Sequence, residues 1–152
     1  MMGDSKNKEN LILFYERGFY VFSNFSSFAV DWRGKVRMTS EHAYQVARFD
    51  DEDIINEIFQ ARSAHDSKKL AQKYKEQQFK NWDEIKVSIM KEIVRAKLQQ
   101  HAYIQKLLKK TEDRDIIEDS PKDEFWGWGP NKDGRNELGK IWMELREEQN
   151  RA

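Results

Sequence analysis

The sequence predicts an α+β fold, a mainly helical single domain with a small N-terminal β-sheet. Three observations carry this expectation. Strand-like apolar runs and a hairpin signal come first, helical periodicity governs most of the chain after Ser40, and only two prolines interrupt the 152 residues. That length suits one hydrophobic core. No repeat or internal linker divides it, so a domain over 11–150 is expected behind a flexible tail over 1–10.

Leu11-Ile12-Leu13-Phe14-Tyr15 is a short apolar run with strand character. Phe19-Tyr20-Val21-Phe22 continues it or pairs with it. From Phe22 to Phe28 small polar residues alternate with aromatics, a loop pattern. Phe28–Trp32, Arg33-Gly34 and Lys35–Met38 read as a tight hairpin, with Gly34 at a turn position that favours positive φ. Thr39 or Ser40 then caps a helix. Asp53–Gln60 has helical spacing in Ile54, Ile55, Ile58 and Phe59, and Asp66 can cap the next helix. Asn81-Trp82-Asp83-Glu84 is a capping-box pattern opening the longest helix, Trp82 to Gln100, whose stripe of Ile85, Ile89, Ile93 and Ala96 faces the core. Tyr103–Lys109 is helical, Asp115–Glu118 a short strand. A final helix turns Leu138, Ile141, Trp142 and Leu145 inward.

Composition excludes several classes. Lys plus Arg and Asp plus Glu balance at 27 each, so no general attraction to nucleic acid or membrane follows. With no cysteine there is neither a disulfide nor a thiolate nucleophile. No apolar run reaches membrane-spanning length and the first ten residues are unlike a signal peptide. A soluble cytoplasmic protein is expected, with no membrane partner. The three histidines, His42, His65 and His101, lack metal-ligand spacing, so no metal and no cofactor are expected.

Two stretches carry chemistry. In the helix at Ser40, Glu41, Tyr44, Gln45 and Arg48 fall on one face at i, i+3, i+4 and i+7, while Ala43, Val46 and Ala47 fall on the other. The polar set is either the wall of a site or an ordinary solvated face. Farther on, Ser120–Gly129 leads to Gly134-Arg135-Asn136-Glu137-Leu138-Gly139. Glycines beside tryptophan let backbone approach a flat partner, and such a loop before a helix can hold phosphate on its amides. The plainer alternative is a Trp-anchored turn.

Taken together these stretches resemble the NADAR family, also called YbiA-like. The matching pieces are Phe22-Ser-Asn-Phe25, Thr39-Ser-Glu-His42 with Gln45 and Phe49, Trp82-Asp83, Asp123 with Phe125-Trp126-Gly127 and Gly129, and Gly134-x-Asn136-x-Leu138-Gly139 with Met143 and Arg146. They keep the family's order from about Phe14 to Arg146. Three positions depart from it: the family's Trp-Pro before Thr-Ser-Glu-His is here Arg37-Met38, the Lys before Phe49 is Arg48, and the Ser-Pro opening the central helix is Ser63-Ala64.

The resemblance implies cleavage of an N-glycosidic bond. The expected substrate is small and nucleotide-like, an ADP-ribose or ribose-phosphate conjugate: either ADP-ribosyl-guanine, also as an ADP-ribosylated nucleobase in nucleic acid, or a phosphoribosylamino-pyrimidine intermediate of riboflavin synthesis. A non-catalytic ADP-ribose or nucleotide-binding module is the alternative. Cleavage at ribose C1 builds oxocarbenium character on the sugar. Glu41, in a first helical turn that favours its charge, is the expected stabiliser or general base. Asp123 is the second carboxylate, orienting a ribose hydroxyl or water, or else capping a turn. Lys68, at the family's recurring Lys position, could form a Schiff base if desolvated, and is otherwise a solvated helix lysine. Trp126 and Trp82 could stack on the base, with a core role as the alternative for Trp82. Asn24, Gln45 and Asn136 could reach ribose or phosphate, Arg48 could fork onto phosphate, and Phe25 and Gly127 complete the expected binding surface.

Overall fold

A computed structural model of the chain describes residues 10–152. All but the last residue of the expected tail lies outside the described residues. In chain order the elements are β1 (Leu11–Phe14), a 3-10 turn at Tyr20–Phe22, β2 (Val30–Trp32), β3 (Lys35–Arg37), α1 (Ser40–Val46), α2 (Glu52–Phe59), α3 (Ala64–Lys73), a 3-10 turn at Lys75–Gln77, α4 (Trp82–Gln100), α5 (Ala102–Lys110), β4 (Asp115–Glu118) and α6 (Glu137–Arg151). The chain is α+β and mainly helical, and it falls into two compact units. One is the continuous stretch Asn24–His101. The other joins the chain up to Ser23 with Ala102–Ala152.

The strands form two separate pairs. β2 and β3 make the expected antiparallel hairpin, with Val30 opposite Arg37 and Trp32 opposite Lys35. Its turn places Arg33 at φ 54° and Gly34 at φ 82°, the primed geometry whose twist suits a two-residue hairpin. β1 instead runs parallel to β4, Leu11 to Phe14 beside Asp115 to Glu118. The sequence offers no local signal for a parallel pair so far apart in the chain. Phe19–Phe22 does not extend β1. Phe19 takes a left-handed conformation at φ 60° and a 3-10 turn follows, which seats Phe22 against Phe14 and against Trp142 of α6 at a centroid distance of 4.8 Å. The Trp142 indole N–H donates to the Phe22 carbonyl, 3.0 Å, so a fully buried ring keeps its donor satisfied.

Helix starts follow side-chain chemistry, with two adjustments. Thr39 caps α1 by accepting from the His42 N–H, and Asp51 caps α2. Ser63, not Asp66, caps α3 by accepting the Asp66 N–H. α4 spans the expected Trp82–Gln100, but the Asn81 side chain makes no cap hydrogen bond and its carbonyl receives the Glu84 N–H instead.

Close approach fixes the start of α6. A Cβ on Gly139 would overlap the Ile116 carbonyl oxygen of β4. Gly→Ala inside a helix ordinarily gains up to about 1 kcal/mol. Here overpacking against backbone reverses the sign, and Gly139→Ala is expected to cost about 2–3 kcal/mol, read from the midpoint of urea unfolding.

Candidate functional site

In the Asn24–His101 unit the polar face of α1 is not solvated. All seven residues of α1 are buried. Glu41, 6 % exposed, receives the Gln45 side-chain N–H at 2.6 Å, and Gln45 in turn accepts from Arg48 Nη1 at 2.8 Å. The spacing i, i+4, i+7 therefore builds a line of carboxylate, amide and guanidinium. The amide orientation follows from its neighbours, because a carboxylate needs a donor and a guanidinium needs an acceptor. Arg48 also places Nε and Nη2 on Gln78 Oε1 at 3.0 and 2.6 Å. Burial lowers its pKa, while the charges of Tyr44, Glu41 and Asp83 oppose that.

Asn24 secures the start of this line. Its carbonyl accepts the Glu41 backbone N–H at 3.0 Å. Its side-chain oxygen accepts the Ser40 hydroxyl, and its amide donates to the Met90 sulfur. The Asn24 amide is thus engaged in positioning α1. Phe25 is half-buried beside it. His42 stands outside the line, held between the Thr39 hydroxyl at 2.8 Å and the Ala61 carbonyl at 2.9 Å. Nε2 must donate to the carbonyl. Burial lowers the pKa of the ring, which favours the neutral form with Nδ1 accepting from the Thr39 hydroxyl. Trp82 is 3 % exposed and packs on Tyr44 with centroids 5.3 Å apart, the core role.

Two lysines exchange places. Lys68 is exposed on α3, so it lacks the desolvation that its expected Schiff-base role requires. Lys97 of α4 has it. Lys97 is 0 % exposed, donates from Nζ to Ser26 Oγ at 2.9 Å and lies 5.6 Å from the Phe28 ring centroid. Burial lowers its pKa to about 7. Sequence reasoning missed it, although Met90, Ile93, Val94 and Lys97 form one inward stripe by helical spacing and a lysine on that stripe was the available signal. His101 and Gln100 pin the same loop, His101 to the Ala29 carbonyl and Gln100 to both backbone groups of Asp31.

In the other unit, Asp123 Oδ1 accepts the N–H groups of Phe125 and Trp126 at 2.9 and 2.8 Å, which is the turn-capping alternative for that oxygen. The half-buried Trp126 ring stands edge-on to Phe125, centroids 4.8 Å apart. Gly127 lets the loop close on the Glu118 carbonyl, where a Cβ would come within 2.7 Å. Asn136 donates to the Ile116 carbonyl and accepts the Glu118 N–H, both at 2.9 Å. Its amide stitches the loop to β4. The backbone N–H groups of Gly134, Arg135, Asn136, Glu137 and Leu138 donate to the carbonyls of Trp128, Glu124, Gly127, Phe125 and Trp126. Those amides are spent within the loop, so the phosphate cradle expected at this helix start does not form on them.

An open groove of about 480 Å³ lies between α2 and α3, with Ala61, Leu70, Arg62, Asp66, Lys69 and Lys73 among its lining. Among the described residues no cluster of His, Asp and Glu could hold a metal, and no helix is long and apolar enough to cross a membrane.

The NADAR domain model matches residues 13–149. N-glycosidase Npun_R5314 of Nostoc punctiforme is 40% identical over 130 residues, covering 84% of this chain and 83% of its own length. N-glycosidase YbiA of Escherichia coli is 35% identical over 127 residues, covering 84% and 79%. The riboflavin biosynthesis protein VVA0006 of Vibrio vulnificus is 38% identical over 144 residues, covering 92% of this chain and 39% of its own. The NMR structure of E. coli YbiA superposes with a TM-score of 0.85 at 33% identity, covering 95% of this chain and 87% of that one.

The depressed Lys97 pKa sets a pH dependence. The unfolded lysine keeps its proton to about pH 10.4, while the folded one releases it near 7. Between those values the unfolded state binds more protons, so stability rises with pH, and below 7 the cost of the buried charge is carried in full. Lys97→Met is expected to remove this rise, on the order of a few kcal/mol, in denaturant titrations from pH 6 to 10.

Proposed function

Because the chain belongs to the NADAR domain family, we propose that it is an N-glycosidase, releasing a base from a small ribosylated nucleotide-like substrate. The observation that carries this reading is the buried Glu41 carboxylate, oriented by Gln45 and Arg48 and fixed by the Asn24 carbonyl. Burial strengthens its interaction with a sugar cation, because little water screens it. The N-glycosidase names of relatives support the reaction type, and the riboflavin biosynthesis name of another supports a small nucleotide-like substrate.

In the direct route Glu41 stabilises positive charge at C1 and accepts a proton from the attacking water. The C1–N bond breaks, its electron pair leaves with the base, and the base takes up a proton. Lys97 supports a second route. The neutral amine adds to C1 as the C1–N bond breaks, and the base departs with that electron pair and a proton; the ring C1–O bond then opens, its oxygen takes the remaining proton of the nitrogen, and an imine joins Lys97 to the open sugar. Water then adds to the imine, freeing the sugar aldehyde and restoring the amine. Ser26 and Phe28 against Nζ lie on the same loop as Asn24, so a substrate beside Glu41 meets the segment that covers Lys97.

Glu41→Gln keeps the shape and removes the charge. Single-turnover base release from ADP-ribosyl-guanosine and from a phosphoribosylamino-pyrimidine is expected to slow by ~10²–10³-fold. The loss should fall on kcat with KM little changed, since the charge develops only near the transition state. An unchanged rate removes Glu41 from the chemistry, and binding without any base release by the wild type leaves only a binding module.

The imine route has its own readout. Borohydride during turnover should trap a sugar adduct that Lys97→Met abolishes and Lys68→Ala leaves intact. An active wild type with no adduct assigns the reaction to direct water attack.

A further inference from the structure

The line that orients Glu41 does not end inside α1. The helix stops at Val46, so Glu41 and Gln45 ride on it while Arg48 stands beyond its end. The Arg48 backbone N–H reaches back to the Gln45 carbonyl at 3.3 Å. Helix geometry alone does not fix a guanidinium at the tip of so long and flexible a side chain. What fixes it comes from the segment after the 3-10 turn at Lys75–Gln77.

Gln78 leaves that turn in an extended conformation, φ −68° and ψ 159°. The next residue, Phe79, donates its backbone N–H to the Arg48 carbonyl at 2.9 Å, and its own carbonyl accepts the N–H of Trp82 at the start of α4. Trp82 packs on Tyr44 of α1. Main chain and core packing therefore bring Gln78 beside Arg48, 30 residues earlier in the sequence. The half-buried Gln78 offers one oxygen, Oε1, to two guanidinium donors, Nε at 3.0 Å and Nη2 at 2.6 Å. Both donors lie in the guanidinium plane, so an acceptor on that edge fixes the plane. Nη1, on the other side, then meets Gln45 Oε1 at 2.8 Å, and Gln45 Nε2 faces Glu41 Oε2 at 2.6 Å. An amide has one acceptor end and one donor end, so the guanidinium at one end decides which end reaches the carboxylate. A lysine in place of Arg48 would offer a point charge with no plane to fix, so the fork is a property of Arg48 and Gln78 together.

We propose that Gln78 is a positioning residue for the reaction at Glu41: it fixes the Arg48 guanidinium, which orients the Gln45 amide, which holds the Glu41 carboxylate where C1 of the substrate meets it. Gln78 acts through two other side chains and touches no reacting atom. Its effect on rate rests on the glycosidase reading, whereas the alignment of the side chains does not. A small misplacement of a group aimed at a reacting centre is costly even when the cause lies far from the chemistry.

The test pairs base-release kinetics with NMR of the Gln45 side-chain amide, whose resonances report its hydrogen bond to Glu41 with or without turnover. Gln78→Leu is expected to lower kcat by about tenfold or more with KM little changed. It should also move the Gln45 amide resonances toward those of a free glutamine, while the backbone amides of Ser40–Val46 and the unfolding temperature hold. Gln78→Glu keeps an acceptor for the guanidinium and should restore most of the rate and the Gln45 resonances. In an Arg48→Met background Gln78→Leu should cost little more, because the side chain it acts through is gone. Unmoved Gln45 resonances in Gln78→Leu overturn the proposal whatever the rate does. So does an unchanged kcat in an active enzyme, a Gln78→Leu loss that adds in full to that of Arg48→Met, or backbone shifts along α1 that mark Gln78 as structural. A wild type that releases no base overturns the glycosidase reading instead, and the Gln45 resonances then decide the positioning on their own.

Discussion

The Gln45 side chain is the joint on which the Asn24–His101 unit's polar interior depends. It gives a hydrogen to Glu41 and takes one from Arg48. Without it the buried Glu41 carboxylate would lose a donor and the half-buried Arg48 guanidinium an acceptor, and a lost partner costs more than a made hydrogen bond gains. Helical spacing sets the three in line, but the line is buried only because the Asn24 carbonyl and hydroxyl-bearing Ser40 close the helix start. A helix can thus hold a carboxylate in the interior within the first turn after its cap.

Much of the fold was legible in the sequence because it is local. The α4 limits, the Thr39 cap, the Arg33-Gly34 turn and the α6 core stripe follow from spacing and turn chemistry. Partnerships between distant segments were hidden. β1 pairs with β4 in parallel, and no residue in either run names the other. The loop before α6 looked like a phosphate cradle because its glycines were visible, whereas the carbonyls that consume its amides were not. The candidate site divides in the same way. Glu41, Gln45 and Arg48 were found by periodicity. Lys68 was chosen by position and proves exposed, while Lys97, on the inward stripe of Met90, Ile93 and Val94, was not singled out.

The buried cations of the Asn24–His101 unit show how the same burial yields different chemistry. Arg48, half-buried, donates to the Gln45 and Gln78 side-chain oxygens and keeps its charge. Lys97 has a hydroxyl and an aromatic face, so burial makes proton loss easy near neutral pH. Arg37 cannot lose its proton at ordinary pH, so it keeps a charge with no acceptor for its Nε and Nη1.

The pairing of β1 with β4 also sets an order in time. The Asn24–His101 unit is continuous and all its contacts become available once its last helix has been synthesised. The other unit begins with an apolar strand, Leu11–Phe14, whose partner at Asp115–Glu118 emerges about a hundred residues later. On a ribosome adding ~5–20 residues per second, that strand waits seconds with its edge open. Folding of this unit is thus tied to the synthesis of β4, and a nascent chain that stalls before β4 exposes an unpaired strand edge of the kind that recruits chaperones or other chains.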